Sequence, residues 1–377
     1  MFGKKDKNGT NGDLSSEQVI ALLEGIRDPL LEKGLVELGM VKEAAVEAGR
    51  LRISVELPTP AWEPKALLEQ EIHAALAPVL GDRKVEIAWG SNVRASRAMG
   101  TGNDLVPGAR NIILFASGKG GVGKSTVAAN VASALAELGA TVGLLDADIY
   151  GPSVPTMFGT REPPKPNASG NKLVPIKHLG LRLMSIGFIV DPKEAMSWRG
   201  PMLNGALLQF MRDVEWGDLD YLILDLPPGT GDVQLTIAQN LKVSGAVLIS
   251  TPQDVALADV NRGKAMFDRV DIPTLGIVEN MAGFTCTNCA TVHHIFAHGG
   301  ARDLATELGV PLLGEVPIEL SVRESSDSGK PEVLANPESE SSKVFFAIAK
   351  RVATMLAQRA AEVGSKASAR GALRIIQ

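Results

Sequence analysis

The spacing of apolar residues changes near residue 110, and the predicted structure changes with it. Before that point, residues 51–57 alternate between apolar and polar, which is typical of a half-buried strand. Helical patterns at 18–27 and 64–80 and a further strand at 84–89 complete a small α+β domain. After that point, continuous apolar runs alternate with Ala-rich helical stretches, which predicts an α/β fold with a mostly parallel sheet wrapped by helices.

The strands and boundaries of this arrangement follow from the same pattern. The apolar runs predict strands at 112–116, 141–145, 221–226, 246–250, 274–279 and 312–316. The predicted segments are a disordered N-terminus (1–14), the small α+β domain (15–90), a polar linker without a period (91–110), the α/β domain (111–363) and a loose tail (364–377).

A glycine-rich run at 118–126 lies between the first of these strands and a helical stretch. Its glycines allow the backbone to bring amide groups up to phosphate oxygens, and the following helix points its positive end at the same anion. The context identifies a phosphate-binding loop (P-loop) for a nucleoside triphosphate. The predicted nucleotide-binding residues are Gly118, Lys119, Gly120, Gly121, Val122, Gly123, Lys124, Ser125 and Thr126.

Within the loop, Lys124 is expected to reach the β- and γ-phosphates, and Ser125 to ligate Mg²⁺. Lys119 is a second lysine that an ordinary P-loop does not need. On its chemistry alone, Lys119 is either a solvated loop charge or a functional group.

Three aspartates follow two of the predicted strands. Asp146 and Asp148 come after the second strand, and Asp225 ends the third strand, followed by Leu-Pro-Pro-Gly-Thr-Gly. Carboxylates at this edge of a parallel sheet lie in the ligand crevice, where they suit Mg²⁺ and the orientation of an attacking water. The simpler alternative for Asp146 and Asp148 is a turn residue and a helix cap.

The chain has only two cysteines, Cys286 and Cys289, with His293, His294 and His298 downstream. Two thiolates from each of two chains would supply the four ligands of a [4Fe-4S] cluster in a symmetric dimer. A zinc ion held by two cysteines and two histidines, and a redox dithiol, are the alternatives.

The composition of the chain limits the kinds of partner and the location that we predict for it. The sequence is 45% hydrophobic and 21% charged, with a net charge of −5, which gives no support to nucleic-acid binding. It has no apolar run long enough for a membrane span, and residues 1–16 lack the apolar core of a signal peptide. We therefore predict a cytoplasmic protein with no nucleic-acid or membrane partner.

Four stretches resemble the Mrp/ApbC-type iron–sulfur cluster carrier ATPases, SIMIBI-class P-loop proteins related to the Min and Par ATPases. They are the P-loop, residues 146–153, residues 225–232, and residues 279–289 continuing to 300. The resemblance implies that Lys119 reaches the nucleotide of the other chain of a dimer, and that Asp148 helps activate water. It also implies that Asn280 and Pro317 lie near the adenine.

The same resemblance implies that Cys286 and Cys289 hold a [4Fe-4S] cluster that bridges two chains. Residues 15–90 resemble the small assembly domain often fused to such proteins, with Trp62 where that family often has a cysteine. Trp62 is therefore expected to pack rather than to handle a cluster.

Together these observations predict a homodimeric carrier that binds ATP and Mg²⁺, hydrolyses ATP slowly, and transfers its cluster to apoproteins, with scaffold proteins as further partners. A Min/Par-type partitioning or positioning ATPase acting on membrane or DNA is one alternative. A zinc-stabilised scaffold with weak ATPase activity is another.

Overall fold

A computed structural model describes residues 14–47, 49–97, 104–149, 151–190 and 200–374, without the side chains of 200–204, 232 and 364–374. Except for Leu14, the predicted disordered N-terminus lies outside the described residues. The chain forms two compact units, one reaching to Pro58 and including Trp62–Asn92, the other comprising Thr59–Ala61 and the residues from Val93 on.

The first unit is a small α+β structure, as predicted. Its elements are α1 (Ser16–Leu23), β1 (Arg27–Asp28), β2 (Lys33–Gly34), β3 (Val41–Glu47), β4 (Arg50–Leu57), α2 (Lys65–Leu80) and β5 (Lys84–Ser91). Strand β4 pairs antiparallel with β3 and parallel with β5, and α2 makes the crossover. Alternate residues of β4, namely Leu51, Ile53 and Val55, are fully buried in the core.

Trp62 is a core residue of this unit, as expected for a packing role. Its side chain is 2% exposed, and its Nε1 donates a hydrogen bond to Asp28 Oδ2 at 2.7 Å. The other oxygen of the Asp28 carboxylate accepts from the backbone amides of Leu30 and Leu31. The indole N–H therefore satisfies one oxygen of a buried carboxylate, and the other oxygen holds the turn after β1.

The second unit is built on a mostly parallel sheet, which confirms the predicted fold class. Its strands are β6 (Ala109–Ala116), β7 (Val142–Asp146), β8 (Lys165–Pro166), β9 (Leu173–Val174), β10 (Ile176–His178), β11 (Leu181–Ser185), β12 (Leu219–Asp225), β13 (Gly245–Ser250), β14 (Thr274–Thr285), β15 (Val292–His293) and β16 (Leu312–Ile318). The main sheet runs in the order β10-β11-β7-β12-β6-β13-β14, and both β15 and β16 pair with β14. Only β10 and β15 pair antiparallel with their neighbours in this sheet.

Helices cover this sheet because its strands are buried on both faces. They are α3 (Lys124–Glu137), α4 (Val154–Met157), α5 (Gly200–Asp213), α6 (Asp232–Asn240), α7 (Asp254–Asp268), α8 (Gly300–Glu307), α9 (Leu320–Asp327), α10 (Glu332–Ala335) and α11 (Glu340–Arg374), with a 3₁₀ turn at Ile186–Phe188. Within the described residues, no helix has the length and apolar character needed to cross a membrane.

Two predicted segments differ from the structure. In the predicted linker, Val93 and Val106 are buried, and Arg97 forms a buried ion pair with Asp104 at 2.8 Å. The described residues from Val93 to Arg110 are therefore part of the second unit, and the Arg97–Asp104 pair is buried in it. In the predicted loose tail, α11 continues as far as Arg374.

Candidate functional site

Three parallel strands bring the predicted phosphate and carboxylate groups to one edge of the sheet. The P-loop follows β6, and Asp225 ends β12, which lies between β6 and β7. Asp225 is in register with Phe115 of β6 and with Asp146 of β7. The carboxyl edge of the sheet is therefore the place where the loop and both carboxylates meet.

The loop has the backbone geometry of a phosphate cradle. Gly121 and Gly123 have φ angles of 82° and 79°, a left-handed conformation that favours glycine, and α3 begins at Lys124. A side chain on Gly118 would meet Asp259 of α7 at 2.0 Å. A cavity of about 220 Å³ lies over the loop, lined by Ser117, residues 119–126, Asp148 and Pro228. The structure thus brings nearly all the predicted nucleotide-binding residues together.

Lys124 is paired with Asp225 beneath this cavity. The Lys124 Nζ donates to Asp225 Oδ1, and the two side chains are 5% and 1% exposed. Burial raises the pKa of the Asp225 carboxyl, and Lys124 opposes that shift. Asp225 Oδ2 is buried without a hydrogen-bond partner. A free carboxylate oxygen beside the hydroxyl of Ser125 is a donor set suited to Mg²⁺.

Asp146 is fully buried behind the cavity. Its Oδ1 accepts from the amide of Asp148, and its Oδ2 accepts from the amides of Ser153 and Val154 and from Ser185 Oγ. Burial and the nearby Asp225 raise the pKa of Asp146 to about 7. These contacts match the simpler alternative of a turn and cap residue, and they leave Oδ1 with a single hydrogen bond.

Asp148 lies at the mouth of the site. It is half-buried, it lines the cavity, and its Oδ1 accepts from the amide of Gly151 at 3.3 Å. The backbone amide of Asp148 is the one held by Asp146. Asp146 therefore positions Asp148 beside the loop, which is where a group that orients a water would stand.

Lys119 is half-buried and held within its own chain. Its Nζ donates to Gln253 Oε1 at 3.2 Å, and Gln253 also accepts from Thr251 Oγ1. The sequence analysis did not single out Gln253. The signal was available, because Gln253 follows the apolar run of β13 and so stands at the same carboxyl edge as the P-loop.

Asn280 contacts the loop directly. It is 8% exposed, and its Nδ2 donates to the carbonyl oxygen of Val122 at 2.8 Å. A Cβ on Gly123 would lie 2.2 Å from that same Nδ2. Pro317 is half-buried on β16, one residue after Val316, the register partner of Asn280. Their predicted proximity to an adenine stays a prediction.

The two cysteines stand at the tip of a hairpin that extends β14. Strands β14 and β15 pair antiparallel, with Phe284 opposite His293 and Thr285 opposite Val292. The amide of Cys286 donates to the carbonyl of Thr291. Cys286 is half-buried and Cys289 is exposed. Hydrogen bonding with Thr291 and Cys286 lowers the pKa of the Cys289 thiol, which favours the thiolate that metals require.

The histidines near this hairpin do not complete a site within one chain. His294 and His298 stack with ring centroids 4.2 Å apart, and His294 Nδ1 lies 3.3 Å from the carbonyl oxygen of Ala282. Over the described part of the chain, no group of three or more His, Cys, Asp or Glu side chains converges as metal ligands would. Over those residues, the two cysteines and two of the histidines named for the zinc alternative do not converge.

Comparison with known proteins agrees with this geometry. Residues 108–353 match the family described as the ParA group's NUBPL iron-transfer P-loop NTPase, and residues 16–89 match an iron–sulfur cluster assembly protein family. An iron–sulfur cluster carrier protein of Synechocystis is 44% identical over 90% of this chain and 97% of its own length. One of Escherichia coli is 42% identical over 90% and 91%.

Solved structures with a similar fold cover about three fifths of the chain. A nucleotide-binding protein of Archaeoglobus fulgidus, solved with ADP, is 40% identical with a TM-score of 0.54, covering 60% of this chain and 89% of that one. The cell division ATPase MinD of Pyrococcus furiosus is 22% identical with a TM-score of 0.51, covering 65% and 99%. At that identity, the likeness concerns the fold alone.

The fold and loop thus define a P-loop nucleotide-binding protein with a MinD-like sheet. Within that class, the chain belongs to the iron–sulfur cluster carrier family of NUBPL-type iron-transfer P-loop NTPases.

Proposed function

We propose that the protein is an ATP-dependent carrier that assembles a [4Fe-4S] cluster between two copies of the chain and transfers it to apoproteins. The observation that carries the proposal is the cysteine hairpin, which brings together a half-buried and an exposed thiol, with no third ligand in the described part of the chain. A four-iron cluster takes four cysteine thiolates, so two hairpins facing each other supply the full set.

The surroundings of the hairpin support contact with a second copy. Val292, Ile295 and Phe296 are 54%, 57% and 39% exposed, although they are large apolar side chains. Apolar residues clustered beside a functional group mark surfaces that become covered in a complex. The same contact would shield the cluster from water.

The P-loop supplies the nucleotide site of the proposal. The loop amides and Lys124 would bind the phosphates of ATP, and Lys124 would then exchange Asp225 for the phosphates. Ser125 and Asp225, through its free Oδ2, would hold Mg²⁺. That ion neutralises charge on the β- and γ-phosphates. The Archaeoglobus fulgidus relative, solved with ADP, supports nucleotide binding by this chain.

Hydrolysis in this proposal is slow. Asp148 lines the cavity and would orient the attacking water, while Lys119 would act on the nucleotide of the partner chain. Among the described residues that line the cavity there is no arginine to stabilise the transition state. ATP turnover is then suited to timing changes in the dimer rather than to rapid catalysis.

The partners remain part of the proposal. They are a second copy of the chain, apo iron–sulfur clients and cluster scaffold proteins, in the cytoplasm, with no nucleic acid or membrane involved. Co-sedimentation with DNA or liposomes in the presence of ATP would favour the partitioning-type alternative instead.

Anaerobic reconstitution with iron and sulfide tests the cluster site. The Cys286→Ser/Cys289→Ser variant should lose nearly all iron and sulfide uptake and the visible absorption of the cluster, because it removes every thiol of the chain. Nucleotide binding by the same variant is the control and should be unchanged. Iron and sulfide uptake equal to that of the wild type would place the cluster elsewhere.

A further inference from the structure

Two adjacent residues of β14 connect the strand that carries the cysteine hairpin to other elements, Asn280 to the P-loop and Glu279 to α8. Asn280 donates to the carbonyl oxygen of Val122 in the loop at 2.8 Å. Glu279 accepts from the amide of Ala301, in the first turn of α8, at 2.9 Å. The side chains of successive strand residues point to opposite faces, so the two neighbours bond to different elements, the P-loop and α8.

These two contacts hold both ends of the segment that carries the cysteines. The segment begins within β14 just after Asn280, passes through the hairpin, and ends at α8, where Ala301 donates to Glu279. Glu279 is fully buried, and its Oε1 has no hydrogen-bond partner, so the bond to Ala301 is what satisfies its carboxylate. Between the two ends, Met281 has a φ of 59°, which strains a residue with a side chain.

The returning end also packs close to Gln253, the hydrogen-bond partner of Lys119. A Cβ on Gly300 would lie 2.6 Å from Leu257 Cδ1 and 3.2 Å from the carbonyl oxygen of Pro252. The next residue, Gln253, accepts the hydrogen bond from Lys119. The segment therefore contacts the P-loop directly through Asn280. Its other end, at Gly300, packs beside Pro252, next to the residue that holds Lys119.

We propose that Glu279 and Asn280 are positioning residues that transmit nucleotide occupancy of the P-loop to the geometry of the Cys286–Cys289 hairpin. A phosphate bound by the loop amides would shift the backbone that carries the Val122 carbonyl, and it would compete with Gln253 for Lys119. This inference deepens the proposed function, because it assigns the route by which ATP would alter cluster loading or release.

Thiol reactivity provides a test that needs no cluster. The full, reduced, iron-free chain is alkylated with iodoacetamide, with and without a saturating, slowly hydrolysed ATP analogue and Mg²⁺, and modification is followed by mass spectrometry. The chain has only two cysteines, so the signal reports the hairpin alone. The protein is kept at a concentration where its measured mass is that of one chain, so that dimerisation does not mask the thiols.

In the wild type, bound nucleotide should change the alkylation rate by about two- to thirtyfold, the range that packed networks carry. In Asn280→Ala, with nucleotide binding verified by equilibrium dialysis at saturation, the change should disappear. The matched control is Asn240→Ala, which also removes an asparagine that donates to a carbonyl, but to that of Thr236 in the same helix, α6, instead of to the loop. That variant should behave as the wild type.

Glu279 gives an independent arm. Glu279→Gln keeps an oxygen that can accept from Ala301 and should retain the nucleotide effect, whereas Glu279→Ala should lose it. A wild type whose thiols ignore bound nucleotide, or an Asn280→Ala variant that responds fully, would overturn the inference. Iron and sulfide uptake, measured separately, decides the carrier proposal whatever the outcome for the coupling.

Discussion

The P-loop and the cysteine hairpin differ in how much of each site one chain builds. In the loop, Lys124 is buried against Asp225, and glycines at two positions adopt angles that suit a cradle. In the hairpin, Cys289 is exposed and apolar side chains around it face outward. One chain thus supplies the glycine loop, Lys124 and Asp225 of the nucleotide site, whereas the proposed cluster site needs a second molecule.

The strongest way to break this contrast is to remove Lys124. Nucleotide affinity of Lys124→Ala should fall at least about 30-fold, because loss of one partner from a close charge pair costs about 2 kcal/mol or more. Turnover should fall with it, while iron and sulfide uptake stays intact. Isothermal titration calorimetry and anaerobic reconstitution measure the two halves.

Stability must be separated from binding in this experiment, because Asp225 would lose its partner. The double variant Lys124→Ala/Asp225→Asn removes that buried charge and should regain stability without regaining nucleotide affinity. Lys119→Ala supplies the contrast. It should reduce turnover roughly 100-fold, the loss for a missing transition-state donor, with much less effect on binding. Equal loss of binding in the Lys119 and Lys124 variants would rule out a role across the dimer.

A smaller effect separates loop strain from the contact with Asn280. Gly121→Ala and Gly123→Ala should each cost about 1 kcal/mol, because both place a side chain at a positive φ. Gly123→Ala should cost about 1 kcal/mol more, since its Cβ would displace the Asn280 amide from Val122. Urea unfolding of the nucleotide-free chain measures both, and equal losses would mean that the Asn280 contact is not tight.

The smallest expected effect is a change in pH dependence at Glu279. Burial raises the pKa of this carboxyl above its ordinary 4.5, and Glu315 adds to the shift, while the Ala301 amide, His298 and Arg302 oppose it. Between 4.5 and the raised value, the folded chain holds a proton that the unfolded chain has released, so stability falls as pH rises through that window.

Glu279→Gln should flatten this part of the stability curve, measured by urea unfolding between about pH 5 and pH 8. Glu307→Gln, at an exposed glutamate on α8, is the control and should leave the slope unchanged. Asp146 contributes a slope of the same sign, so the comparison is with the wild type, and a slope equal to that of the wild type would assign the titration to another group.

Sequence patterns predicted the central strands well because those strands are continuous apolar runs. Strand β11 was not predicted, since Arg182 interrupts its apolar pattern, yet it pairs parallel with β7 at the side of the sheet. The helical continuation past Gly364 was also missed, because a glycine there costs only about 1 kcal/mol against good helix formers. Local patterns do not reveal such tertiary and context effects.

The candidate site likewise has a part that local sequence patterns predict and a part that depends on tertiary structure. The P-loop residues follow from a local motif, so their convergence on one cavity could be predicted. The Lys119–Gln253 and Asn280–Val122 contacts join residues far apart in sequence, and no local pattern encodes them. Three of the four hydrogen bonds at Asp146 depend likewise on the packing of β7 against β11 and α4.

The most direct test of the shared cluster is the intact mass of the anaerobically reconstituted protein under native conditions. The account predicts two chains carrying one four-iron, four-sulfide cluster, and single chains without a cluster for Cys286→Ser/Cys289→Ser. A single chain that carries a complete cluster or one zinc ion would contradict it.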